Sequence, residues 1–280
     1  MIMRSRRTVS FVRAAAVTRA AATALRALAP GGPGRWERTN HAGRTVELHA
    51  GPASAVAVAL GAGRVHPAAG LAVLAAGACG AYDDVVGAGD PRRGFRAHLS
   101  ALRDGEVTSG TVKLFGISAA ALAAGAVLQR RPLDKALAGV VIAGAAHFVN
   151  LVDVRPGRAA GTVLALGAPG LLRAGAGGEL CAAVLGAAAA VLPDDLGERA
   201  MLGDTGAHAL GAALGAAVAV GWGSPRLDRV ERTGGRAGLL AHAAAFVAAA
   251  AFGDKVTEAA RTWGTASPGP TTVMASAHTT

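Results

Sequence analysis

Residues 203–225 read GDTGAHALGAALGAAVAVGWGSP: an aspartate set between glycines, then an uncharged run that closes at Pro225. A helix needs about 20 apolar residues to cross the hydrocarbon of a bilayer, and the run from Thr205 to Pro225 reaches that length. Asp204 stands at its mouth, where a carboxylate beside hydrocarbon is expensive and so marks function. Outward from this run lie seven more charge-free stretches: Leu48–Gly63, Val65–Tyr82, Leu114–Gln129, Ala136–Val152, Ala159–Leu172, Leu180–Pro193 and Ala237–Gly253. Each is short for a span, and Ala is only mildly hydrophobic. Their regular spacing between short charged loops nevertheless predicts an all-α, polytopic integral membrane protein.

Composition agrees. Of 280 residues, 52% are hydrophobic and 16% charged, with mean hydropathy +0.39; soluble domains carry about 25% charged residues. The 40 glycines sit among Ala, Val and Leu, the setting in which small residues let spanning helices approach closely. A net charge of +10 suits anionic lipid or anionic substrates, although a GC-rich genome also enriches Ala, Gly and Arg. Nucleic acid is disfavoured, because the arginines are scattered through loops and aromatics for base stacking are few. Cys79 and Cys181 lie in apolar stretches without CxxC spacing, which favours packing over a disulfide or a metal.

Along the chain, residues 8–29 form a marginal first membrane helix or an interfacial one, interrupted by Arg13, Arg19 and Arg26 on a similar face. A Pro/Gly breaker at residues 30–34 opens a polar loop over 35–47. Helices follow at about 49–63, 67–82, 112–128, 135–151, 158–172, 179–193, 205–223 and 237–253. Phe95, Leu99 and Leu102 predict a short surface helix within the long polar connection 83–111. Residues 1–263 make one domain of about nine membrane helices, and the Ser/Thr/Pro-rich tail 264–280 reads as disordered. Alternation then puts loops 31–48, 83–111, 151–158 and 194–204 on one face. Basic residues divide twelve against twelve between the faces, so loop charge does not orient the chain.

Three acidic motifs fall on that shared face: Asp83-Asp84, Asn150-Leu151-Val152-Asp153 and Gly203-Asp204-Thr205-Gly206. Together they suggest a site for a hard cation such as Mg²⁺, which in turn holds phosphate. Asp83 and Asp84 point about 100° apart on a helix and cannot both face one ion squarely; one binds metal while the other orients or deprotonates a nucleophile, or both are solvated loop acids. Gly80 and Gly87 beside the pair give the backbone room. Asn150 and Asp153 share a helix face, and an amide inside an apolar run needs a partner. Asp204 caps a helix, ligates metal, or both. Lys113 meets a phosphate or snorkels to the headgroups. His147 and His208 lie within reach of the site but read first as packed histidines.

In this order and spacing the motifs resemble the polyprenyl-phosphate N-acetylhexosamine-1-phosphate transferases, relatives of phospho-N-acetylmuramoyl-pentapeptide transferase. The likeness extends to Arg38–Arg44 and Gly94–Lys113 and covers most of residues 35–223. It implies transfer of a sugar 1-phosphate from a UDP-sugar to polyprenyl (undecaprenyl) phosphate at the cytoplasmic face of the plasma membrane. UMP is released, a cell-envelope glycan is initiated, and Mg²⁺, or Mn²⁺ in its place, is the cofactor. Carried over motif by motif, Asp204 is a metal ligand, Asp84 supports the metal or the pyrophosphate, and Asp83 orients or deprotonates the lipid phosphate. Asn150 and Asp153 contact the nucleotide-sugar or its metal, and Lys113 neutralises phosphate charge.

The chain departs from the family after Asp153. The family pattern continues Gly-x-Asp-Gly; here Val154-Arg155-Pro156-Gly157-Arg158 lacks the second acid, and Arg155 and Arg158 become candidates for the pyrophosphate. The histidine-rich late loop of the muramoyl-pentapeptide enzymes is also missing, which points to another sugar or to a divergent subfamily. Expected partners are the UDP-sugar, the polyprenyl phosphate and the bilayer, with room for a homodimer and none for nucleic acid. The alternatives are a non-catalytic scaffold that binds polyprenyl phosphate, or a transporter; the acids sit at segment ends without an inverted repeat, which disfavours transport.

Overall fold

The computed structural model describes residues 2–90, 92, 94–222 and 229–263; the tail expected to be disordered lies outside them. Eleven α-helices carry the described chain: α1 (Ile2–Leu28), α2 (Ala50–Val65), α3 (Pro67–Val86), α4 (Phe95–Arg103), α5 (Ser109–Leu128), α6 (Pro132–Leu151), α7 (Arg158–Gly167), α8 (Gly175–Leu196), α9 (Gly203–Trp222), α10 (Arg229–Ala251) and α11 (Gly253–Thr262). Their starts are written in the sequence. Pro67 and Pro132 open α3 and α6, where the missing N–H is harmless and φ is already helical. The Thr108 hydroxyl accepts from Thr111 N at 3.1 Å to cap α5.

Helices α3, α5, α6, α8 and α9 are long and apolar enough to cross a membrane, and α10 with α11 adds a sixth if that pair, bent by 85°, is counted as one span. The nine expected spans are therefore not all supported. By length and composition α1 is too charged, and α2 and the stretch 158–172 are too short. The architecture remains that of an all-α protein suited to a bilayer. Large side chains point outward from the candidate spans, with Leu71 67% and Phe115 53% exposed; exposed apolar surface of this kind needs lipid or another apolar cover.

Helix α9 is the axis, buried along most of its length and packed by α2, α3, α6, α8 and α10. Small residues make this possible. A Cβ on Gly211 would lie 2.4 Å from the Ala145 carbonyl oxygen and one on Gly215 2.7 Å from the Ile142 Cα, so α6 and α9 meet backbone to backbone.

Side-chain contacts fix which helix ends lie together. At one end Arg26 meets Glu47 at 2.6 Å, Lys113 meets Asp83, and Thr257 Oγ1 donates to the Leu151 carbonyl. At the other Arg236 meets Asp134 at 2.8 Å, and Ser10 donates to Glu179. The loops expected to share a face do share one. Helix α1 runs the length of α8, from Ser10–Glu179 to Arg19–Asp194, rather than lying across the bundle end.

Two elements escape the sequence reading. The polar loop holds a two-stranded antiparallel hairpin, β1 (Glu37–Thr39) and β2 (Thr45–Glu47). Glu47 extends it by exchanging hydrogen bonds with Arg199 and Met201. Helix α11 turns off α10 at the acidic end.

Candidate functional site

The last turn of α3, the second turn of α5 and the first turn of α9 converge at the hairpin end of the bundle. The Lys113 ammonium donates to Asp83 Oδ2 at 2.5 Å and to Asp204 Oδ2 at 2.8 Å. The first and third acidic motifs thus share one cation. All three side chains are largely buried, Lys113 and Asp83 each 15% exposed and Asp204 24%. Screening by water is weak there, so the pairing is strongly felt.

Asp84 faces elsewhere, as adjacency on a helix demands. Its Oδ1 accepts from Asp204 N at 2.9 Å, and its Oδ2 from Thr205 N at 2.9 Å and the Thr205 hydroxyl at 2.6 Å. The N-cap of α9 is therefore supplied by a neighbouring helix, and a carboxylate suits the positive helix end. Asp204 does not cap α9 with its own side chain; held by Asp84, that side chain is left to Lys113. Arg38, on the hairpin, donates to the Asp84 carbonyl at 2.8 Å.

Glycines set the spacing. A Cβ on Gly80 would sit 2.3 Å from the Asp204 carbonyl oxygen, and one on Gly87 2.5 Å from Asp83 Oδ1 and 2.6 Å from Ser109 Oγ. Gly203 adopts φ +58° to turn the chain into α9 directly against Asp84.

Of the middle motif, Asp153 comes near enough to feel the other acids. Asp153 has no hydrogen bond from its carboxylate among the described residues. Burial first, and then the neighbouring carboxylates of Asp195, Asp204 and Asp84, push its pKa well above the usual range. It lines a cleft of about 160 Å³ with Asn40, His41, Arg155, Asp195 and Glu198. Asn150 forms no side-chain hydrogen bond among the described residues. Arg158 is directed away: its Nε donates to the Ala260 carbonyl at 3.0 Å, and its guanidinium lies over Trp263 at 5.3 Å. No protein-family model matches the chain, and no curated protein matches it. What the site can do therefore rests on its own geometry.

His208 Nδ1–H donates to the Asp204 carbonyl at 2.7 Å, and its ring meets His147 edge-on at 5.5 Å. Both Nε2 atoms are buried without a partner. The residue the sequence reading passed over is Asp195. It is buried, its Oδ2 accepts from Gly157 N at 2.9 Å, and it faces Asp153.

Among the described residues no group of three or more His, Cys, Asp or Glu forms a ready metal cage. Mg²⁺ seldom asks for one, binding through one or two carboxylates plus substrate phosphates. Two carboxylate oxygens already arranged around a single ammonium meet that requirement.

Proposed function

We propose that the protein transfers a sugar 1-phosphate from a UDP-sugar to polyprenyl phosphate, with its site at the cytoplasmic face of the plasma membrane and with α1 and the shorter apolar helices completing a membrane domain of about nine helices. The observation that carries the reading is the shared Lys113, which joins the Asp-Asp pair to the Gly-Asp-Thr-Gly motif. Residues far apart in sequence, and bearing the family resemblance, form one buried charged centre at the end of the apolar helices.

The chemistry brings two anions together. An oxygen of the lipid phosphate attacks the sugar-bearing phosphorus of the UDP-sugar. The new P–O bond forms as the bond to the bridging oxygen breaks, and UMP leaves with that electron pair. Asp83 accepts the proton of a protonated lipid phosphate and orients the attacking oxygen. Lys113 offsets the charge of the phosphates once they displace it from the carboxylates. Asp204, with Asp83, would hold Mg²⁺, which supplies charge neutralisation to the pyrophosphate. Asp84 keeps Asp204 in place through the α9 cap. Asp153 and Arg155 would meet the nucleotide-sugar from the cleft, with Asn150 one helical turn before Asp153, and Asp195, in the same cleft, would serve in place of the second acid that the resemblance expects at Pro156.

The test is UMP release by purified protein in detergent with Mg²⁺, undecaprenyl phosphate and a panel of UDP-sugars. Lipid- and metal-dependent UMP is expected, falling at least about 100-fold in Asp204→Asn. No UMP from any donor, with the protein demonstrably folded, overturns the transferase in favour of a relative that only binds polyprenyl phosphate.

A further inference from the structure

At the end of the bundle away from the acids lies a second cavity, of about 530 Å³. It opens between the start of α1, the end of α2 and the start of α8, and Arg6, Arg7, Arg64 and Glu179 supply its charge. Arg7 frames it: one guanidinium nitrogen donates to the carbonyls of Leu171 and, at 2.9 Å, Arg173, clamping α1 to the turn before α8. Arg6 and Arg64 make no hydrogen bond or ion pair among the described residues, and both are exposed. Glu179, the one acid of the lining, accepts from Ser10 at 3.3 Å. Above Gly175, which adopts φ +77°, there is open space.

Three guanidinium groups therefore meet one carboxylate in a concave site where apolar helices end. Guanidinium forks match phosphate oxygens bidentately. At the boundary of a bilayer, the phosphates at hand belong to lipid headgroups, and basic residues there attract anionic ones. Size decides between sources. Inorganic phosphate spans only part of a cleft this wide, whereas a phosphoglycerol headgroup with the first carbons of its chains can occupy it.

We propose that the cleft formed by Arg6, Arg7 and Arg64 binds the phosphate headgroup of an anionic phospholipid, on the bilayer face opposite the acidic site. The proposal rests on the bilayer setting and is independent of the transferase reading.

Delipidated full-length protein in neutral detergent is titrated with phosphatidylglycerol labelled on an acyl chain, followed by fluorescence polarisation. Unlabelled phosphatidylglycerol, phosphatidylcholine and inorganic phosphate serve as competitors. Phosphatidylglycerol is expected to compete, and phosphatidylcholine is not. Arg6→Gln/Arg64→Gln is expected to weaken binding about 30-fold. Arg103→Gln/Arg261→Gln, which removes equal charge from the other end, is expected to leave it unchanged. If the glutamine pair does not fold, Arg6→Lys/Arg64→Lys is read instead. It retains charge but loses the fork and is expected to weaken binding several-fold. Equal weakening by both glutamine pairs, no weakening by the lysine pair, or equal competition by phosphatidylcholine overturns the site. Competition by inorganic phosphate at the concentration of the lipid overturns the lipid as its ligand.

Discussion

Removing the Asp84 carboxylate should damage the fold more than removing the Asp204 carboxylate one helix away. Asp84→Ala strips three acceptor contacts from the first turn of α9. Loss of an N-cap alone is about 1–2 kcal/mol, and hydrogen bonds to a charged acceptor are about 1.5–3 kcal/mol each. These figures overlap, because the cap consists of those bonds, and water will reach some of the freed donors. About 3 kcal/mol is the resulting expectation. Asp204→Ala keeps the cap and leaves Lys113 paired with Asp83, so the loss of one charged hydrogen bond, about 1.5 kcal/mol, is expected. For a chain of this size 1 kcal/mol moves Tm by about 2–4 °C, so Asp84→Ala should lower the midpoint by about 6–12 °C in detergent. Thermal unfolding followed by size-exclusion with Trp fluorescence reads both variants. Equal shifts for the two would refute the division of labour in which Asp84 builds the start of α9 and the Asp204 side chain is free of that structural task.

Gly80→Ala forces a methyl group against the Asp204 carbonyl; about 1–3 kcal/mol of destabilisation is expected, with UMP release falling more than in a surface Gly→Ala control such as Gly161→Ala. Asp153, its pKa raised by burial and by neighbouring carboxylates, holds its proton to higher pH than an ordinary aspartate. A cation bound beside it lowers that pKa, so Mg²⁺ binding should release protons and tighten as pH rises, an effect that calorimetry in buffers of different ionisation enthalpy detects and Asp153→Asn abolishes. Glu47 on the hairpin is desolvated, but the Arg26 and His49 contacts outweigh this and hold its pKa below the ordinary glutamate value. Its contribution to stability is full above that value and is lost as pH falls through the folded pKa. The Tm gap between wild type and Glu47→Gln should therefore close on acidification.

The spans were legible because long apolar runs flanked by charge have few other solutions in water or lipid. Helices α3, α5, α6, α8 and α9 follow from that alone. The gathering of Asp83, Lys113 and Asp204 was legible too, since alternation puts their loops on one face. The fate of Asp84 was not. Sequence spacing says that two adjacent acids diverge, but not that one turns onto the backbone of a helix 120 residues away. The hairpin 37–47 was hidden for another reason. Its strands are three residues each and polar outward, so neither period nor β-branched enrichment marks them. Arg158 read as a phosphate ligand by proximity in sequence; α11, itself short and amphipathic, takes it.

Asp195 is the most instructive omission, because its signal was present. Asp194-Asp195 ends the uncharged stretch of α8 as Asp83-Asp84 ends that of α3, and the criterion that singled out one pair applies to the other. The two pairs also divide in the same manner. Asp194 faces outward to Arg19 and Arg199, while Asp195 turns inward, accepts from Gly157 N and presents its charge to Asp153. Where the resemblance would expect an acid at Pro156, an acid from another helix reaches the same turn. Proline fixes φ at 156, in the turn that delivers the Gly157 N–H to Asp195. The motif string shows one acid at this loop, Asp153; the helix ends bring a second, Asp195, to the same cleft.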